Sequence, residues 1–270
     1  MAGQRIHFIG GGQMAEAIIR AIISNQTTAA EHISVADINE ERIRLLSGKY
    51  GIQAETRQEA ALAEADLIII AVRPQDNLAE VGRIIHEHAA QNSAVISIVA
   101  GVTIEKLAGY IGGDRPIVRV IPNTLTDTGL GYSGAALNAH AAKEEVDDFL
   151  NGFGKVQYLD ESLIDIFTGY GVAGPNYVYY FIESLADAGV LAGLPREQAW
   201  QVALENVEGG VAMLRHTKLH PRQLLDINNS PGGVGINGLY ELNNSDFAAG
   251  LQRSVLAAVK RTTELGKDHS

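Results

Sequence analysis

Gly10-Gly-Gly12-Gln-Met-Ala15 constrains the fold of this chain more than any other feature. It stands between a short apolar run, residues 5–9, and an apolar stripe through Met14, Ala15, Ile18, Ile19 and Ile22. A buried strand must therefore turn at once into an amphipathic helix. The spacing fits G-x-G-x-x-G/A, and each position has a physical task. Gly10 permits the tight turn, Gly12 lets backbone approach a pyrophosphate, and Ala15 lets the helix lie close to the sheet. Free N–H groups and the helix dipole then stabilise the anion. A merely tight strand-to-helix turn is the plainer alternative.

Strand and helix patterns alternate from this turn onward. Strands are expected near residues 5–9, 31–36, 52–54, 67–72, 94–99 and 116–121, with helices between them, the fourth spanning residues 75–88. That alternation indicates an α/β unit around a parallel sheet. Two further strands, residues 129–136 and 155–159, and an intervening helix extend it to about residue 160. Beyond that point the pattern is helical throughout, with Pro175, Pro195 and Pro221 at positions where helices can begin. The expected organisation is an N-terminal Rossmann dinucleotide-binding domain, residues 1–160, followed by an all-helical domain, residues 161–270. The helical region is small and rich in Ala, so its apolar faces are expected to complete their core against a second subunit.

Asp37 ends the second strand, 25 residues beyond Gly12. A carboxylate there accepts from adenosine ribose hydroxyls and repels a 2′-phosphate, which favours NADH over NADPH. Capping of the next helix, with Asn39, is the alternative role. Arg42 and Arg44 are cations that could partner a phosphate. The carboxyl ends of parallel strands line the ligand crevice, which adds Ala71-Val-Arg-Pro-Gln75 and Asn123. The candidate cofactor contacts are Gly10, Gly11, Gly12, Gln13, Met14, Asp37, Asn39, Ala71, Val72, Arg73, Pro74 and Gln75. Pro74 is read as the start of the next helix. For Arg73 and Arg119 a structural role competes evenly with a contact.

The second constellation is Asn228-Asn-Ser-Pro-Gly-Gly-Val-Gly235, a run of turn formers before a helix. Successive backbone N–H groups in one concavity suit a small carboxylate. A plain inter-helix loop is the competing reading. The formal charge of −11 argues against a nucleic-acid partner. With no cysteine, thiolate chemistry and cysteine-held metals are excluded, and no metal centre is expected. The longest apolar run, residues 67–72, is far too short to span a bilayer, and no signal-peptide pattern opens the chain, so a cytoplasmic protein is expected.

Taken together, these segments resemble the pyrroline-5-carboxylate reductase family. The resemblance also takes in Gly174-Pro-Asn-Tyr177, Glu183-Ser-Leu-Ala-Asp-Ala188 and Gly193-Leu-Pro-Arg196. It implies a helical dimerisation domain, a homodimer or ring of dimers, and an active site to which the partner contributes. It further implies NADH- or NADPH-dependent reduction of a cyclic imino acid, 1-pyrroline-5-carboxylate, to L-proline. The substrate carboxylate then falls to Ser230, Gly232, Gly233, Val234 and Gly235, with Asn176 nearby, and Asn123 and Ser230 stand closest to the reacting centre. The chain departs from the family at Gly171 and Ala173, where two serines are usual, and at Val234 and Gly235, where Thr-Thr is common. A related imine or keto acid, or a catalytically weak nucleotide-binding regulatory paralogue, is the alternative. A β-hydroxyacid dehydrogenase is disfavoured, because residues 175–192 carry no lysine.

Overall fold

A computed structural model describes residues 3–268. Apolar runs become the central strands: β1 (Ile6–Ile9) and β4 (Leu67–Ile70) are buried along their whole length. The first unit continues with β2 (Ile33–Ala36), β3 (Gln53–Glu55), β5 (Ala94–Ser97), β6 (Ile117–Ile121), β7 (Tyr132–Leu137) and β8 (Lys155–Tyr158). These eight strands form one sheet in the order β3-β2-β1-β4-β5-β6-β7-β8. All neighbours pair parallel except β6 with β7, so β7 and β8 together run against the other six strands. The order reverses between β1 and β4, which opens a crevice at their carboxyl ends.

Helices α1 (Gln13–Ser24), α2 (Glu40–Tyr50), α3 (Glu59–Glu64), α4 (Leu78–His88), α5 (Ile104–Ile111) and α6 (Lys143–Asn151) connect these strands. Ile18, Ile19 and Ile22 of α1 are completely buried with Phe8, Val35 and Ile96 on one side of the sheet. Leu62, Ile85, Leu107 and Ile111 cover Ile68 and Val95 on the other. Burying each such side chain contributes about 1.5–3 kcal/mol.

Compact packing divides the chain into residues 1–173 with residues 258–270, and residues 174–257. Residues 161–173, assigned from sequence to the helical region, belong to the sheet unit. They comprise a short turn, α7 (Ile164–Phe167) and one π-helical turn, Thr168–Val172. Ile164 is buried with Ile121 and Ala136, and the Phe167 ring packs tilted against Tyr132. Gly169 lacks the side chain that would strike Val259, so this segment lies directly against the last helix.

The second unit contains α8 (Gly174–Leu191), α9 (Arg196–Thr217), α10 (Pro221–Asn228), α11 (Val234–Asn243) and the first half of α12 (Phe247–Asp268). Gly189 and Ala199 let α8 and α9 approach closely, and Ile182, Ala186 and Ala203 are buried between them. Large apolar side chains remain uncovered, among them Tyr180 at 75% exposure and Leu191 at 89%. No helix of the described residues is long and apolar enough to cross a membrane.

Candidate active site

The glycine turn has the geometry its sequence demands. Gly10 has φ +98°, and a Cβ there would lie 2.7 Å from the Ala71 carbonyl oxygen. Alanine at Gly11 would meet Leu46 at 2.7 Å, whereas nothing lies within 4 Å of a Cβ built on Gly12. The bare Gly12 backbone is thus an open cradle. Gly12 is also the N-cap of α1, and no side chain claims the first N–H groups of that helix. These are the donors a pyrophosphate needs.

A cleft of about 650 Å³ runs from this turn over the ends of β1, β2 and β4. Its walls include Gly10, Gly12, Asp37, Asn39, Ala71 and Val72. Ile38 projects into it at 96% exposure, with Val81 and Ile84 on the same lining, giving an apolar slot suited to a planar base. The residues present therefore fit a dinucleotide.

Asp37 does not cap α2. Its Oδ2 accepts the Gly11 N–H at 2.7 Å and its Oδ1 accepts the Asn39 N–H at 2.8 Å. Asn39 is the cap, accepting N–H groups of Glu41 at 2.9 Å and Arg42 at 3.3 Å. Asp37 thereby braces the glycine turn while its carboxylate faces the cleft. Arg44 lies on the surface beside Glu40. Arg42 instead turns inward and donates through Nε to the Gly11 carbonyl at 2.5 Å.

The segment after β4 differs from expectation. Helix α4 starts at Leu78, capped by the Asn77 side chain, so Pro74 and Gln75 form a turn and stay out of the cleft lining. Asp76 causes this: it accepts the Arg73 N–H at 2.9 Å and pairs with the Arg73 guanidinium at 2.9 Å. Arg73 lines the cleft but is tied to that carboxylate. Gln13 is exposed and Met14 half-buried, both in the first turn of α1.

Asn123 is 3% exposed, and its Oδ1 accepts N–H groups of Leu125 and Tyr132, each at 3.2 Å. Through Oδ1 it holds the turn that ends β6. Arg119, also 3% exposed, pairs with Asp165 at 2.8 Å and Glu161 at 3.4 Å.

In the second unit, the 229–235 loop forms the N-terminus of α11. Gly232 has φ +66°, and Gly233 is the N-cap with no side chain capping the helix. The Gly233 N–H donates to the Ser230 carbonyl at 3.0 Å, and Ser230 Oγ occupies the space a Cβ on Gly233 would need. Asn229 Oδ1 similarly fills the space of a side chain at Gly235. Asn237 donates to the Gly233 carbonyl at 2.8 Å, closing the turn from the far side. Val234 is 93% exposed, and Asn176 lies exposed in the first turn of α8.

Sequence reasoning passed over two groups. Glu16 is a charged residue on the buried stripe of α1, an anomaly that could have flagged it. The second is His220, an exposed residue. It caps α10 by accepting the Arg222 N–H at 3.2 Å, and the next residue, Pro221, was the visible sign of that helix start.

Residues 161–265 match the family description "Pyrroline-5-carboxylate reductase dimerisation", and residues 5–101 match "NADP oxidoreductase coenzyme F420-dependent". Pyrroline-5-carboxylate reductase from Arabidopsis thaliana is 34% identical over 97% of this chain and 96% of that protein. This chain belongs to the pyrroline-5-carboxylate reductase family. The structure of pyrroline carboxylate reductase from Plasmodium falciparum, with NADP bound, has a TM-score of 0.86 at 30% identity, covering 98% of this chain and 99% of that one. The Coxiella burnetii reductase structure has a TM-score of 0.88 at 26% identity, covering 97% and 98%. The helical unit thus lies within the family's dimerisation region, and its uncovered apolar side chains belong to a surface of that kind.

Proposed function

We propose that this reductase-family chain converts 1-pyrroline-5-carboxylate to L-proline, with NADH preferred over NADPH. The observation that carries the reading is the open Gly12 cradle of the first unit; the second unit has, by itself, an anion-ready helix start at residues 229–235. When bound, the reduced nicotinamide cofactor supplies the hydride that adds to the C=N carbon. The protein's share is binding and orientation. Gly12 and the first turn of α1 hold the pyrophosphate, and Asp37 takes the ribose hydroxyls. Ser230 and the N–H groups of Gly232 and Val234 hold the substrate carboxylate, and Gly233, whose own N–H donates to the Ser230 carbonyl, shapes the turn. A protonated imine is already a strong electrophile, so fixing the two reactants in contact provides much of the acceleration. Asn123 acts through the β6 turn it holds. The protein works in the cytoplasm as a homodimer or a ring of dimers.

The direct test follows oxidation of NADH and NADPH with 1-pyrroline-5-carboxylate, piperideine-6-carboxylate and simple keto acids. Turnover should be fastest with the five-membered imine. Tight cofactor binding without turnover on any imine would instead support a regulatory paralogue. Replacing Asp37 with alanine should narrow the NADH-to-NADPH gap by about tenfold. An unchanged ratio rules out that role.

A further inference from the structure

Beside the glycine turn lies a buried cluster of charges that the reaction above does not use. The Glu16 side chain, 9% exposed, receives Arg42 Nη2 at 2.5 Å and Lys49 Nζ at 2.9 Å. Tyr50 Oη donates to the same carboxylate at 2.8 Å. Burial acts to raise this carboxyl, but the hydrogen bonds from Lys49, Arg42 and Tyr50 overcome it and lower it to about 2. Arg42 sits in the first turn of α2 and Lys49 and Tyr50 in its last, so one carboxylate of α1 fastens both ends of α2.

The consequence concerns Arg42. Its Nε and Nη2 donate to the Gly11 and Gly12 carbonyls at 2.5 and 3.3 Å. The Gly11 N–H, at the other end of that residue, donates to Asp37. The guanidinium therefore stands one residue's breadth from the carboxylate assigned to the ribose. An arginine in that neighbourhood is the group that accommodates a 2′-phosphate. Here its Nε and Nη2 are already engaged by two carbonyls and Glu16, and its side chain is only 17% exposed.

We propose that Glu16 is a positioning residue that sets cofactor preference, holding Arg42 beneath the glycine turn and so withholding its guanidinium from a 2′-phosphate. The inference rests on the cofactor cleft described above. Without Glu16, Arg42 loses its anchor, and its freed guanidinium favours the phosphorylated cofactor.

The test uses the full chain and the variants Glu16→Gln, Arg42→Gln and both together. Calorimetry with AMP and adenosine 2′,5′-bisphosphate reads the adenosine end without any imine chemistry, and kcat/KM ratios for NADH and NADPH run alongside. Glu16→Gln should raise affinity for the bisphosphate relative to AMP by about tenfold, since a charge-assisted hydrogen bond is gained. The double variant should lose that gain. Arg42→Gln alone should weaken both probes alike. Equal changes for both probes in Glu16→Gln, or a gain that survives in the double variant, overturn the proposal. If thermal melts show that Glu16→Gln does not fold, Arg42→Gln decides, because a selective loss of bisphosphate binding would place Arg42 at the phosphate already. Wild-type preference for NADPH would overturn the NADH reading separately, leaving the Glu16 shift measurable.

Discussion

Two buried titratable side chains make this protein acid-sensitive through different windows. His7, in the middle of the sheet, has Nδ1 2.8 Å from Ser34 Oγ, and burial lowers its imidazole from 6.5 to about 4. Between those values the unfolded chain binds the extra proton, so stability is full above pH 6.5 and falls as pH drops towards 4. Glu16 is lowered from 4.5 to about 2, so its contribution is full above pH 4.5 and is lost as pH falls towards 2. Urea midpoints measured against pH should flatten in the upper window for His7→Asn and in the lower window for Glu16→Gln. An unaltered slope in either variant refutes its assignment. At Gly235 the expectation is steric. Gly235→Thr must push Asn229 off the Leu225 carbonyl, which its Nδ2 now contacts at 2.7 Å. That hydrogen bond is worth about 1 kcal/mol. Thermal melts should show the loss in Gly235→Thr, and a Tm equal to that of the unaltered chain would refute the steric reading.

At the level of elements, the order of strands and helices was legible because each has a distinct period. β4 is a continuous apolar run, α1 carries a clear stripe, and both lie within two residues of expectation. What escaped depended on distant partners. Pro74 looks like a helix start, but Asp76 binds Arg73 and leaves Asn77 to cap α4 at Leu78. Glu161 and Asp165 look like ordinary surface carboxylates, yet both reach Arg119 on β6, and Glu161 also accepts the Ile104 N–H at 2.7 Å. No local pattern encodes such pairings. The site divides the same way: the glycine turn and Asp37 could be read directly, whereas the Glu16–Arg42 tie and the role of Asn229 needed coordinates. The Arg119 network should respond unequally to its two sides. Removing both carboxylates strands a buried guanidinium and should cost about 3–5 kcal/mol in urea unfolding. Arg119→Met leaves two carboxylates that water can reach and should cost clearly less. Equal costs would contradict this account.

For the whole molecule, the exposed apolar side chains of the helical unit predict that stability depends on concentration. Raising the protein concentration a hundredfold should raise Tm, because association stabilises only the folded chain. A Tm that ignores concentration would argue for a stable isolated monomer. The return of residues 258–268 to the sheet unit carries a further consequence, for synthesis. The ribosome makes nearly all of that unit first, then 84 residues of the other, and only then the stretch of α12 that covers Gly169. At ordinary elongation rates the gap lasts roughly 4–17 s. The Rossmann half of this protein is begun first and finished last, and through that interval its Gly169 face stays open to chaperones.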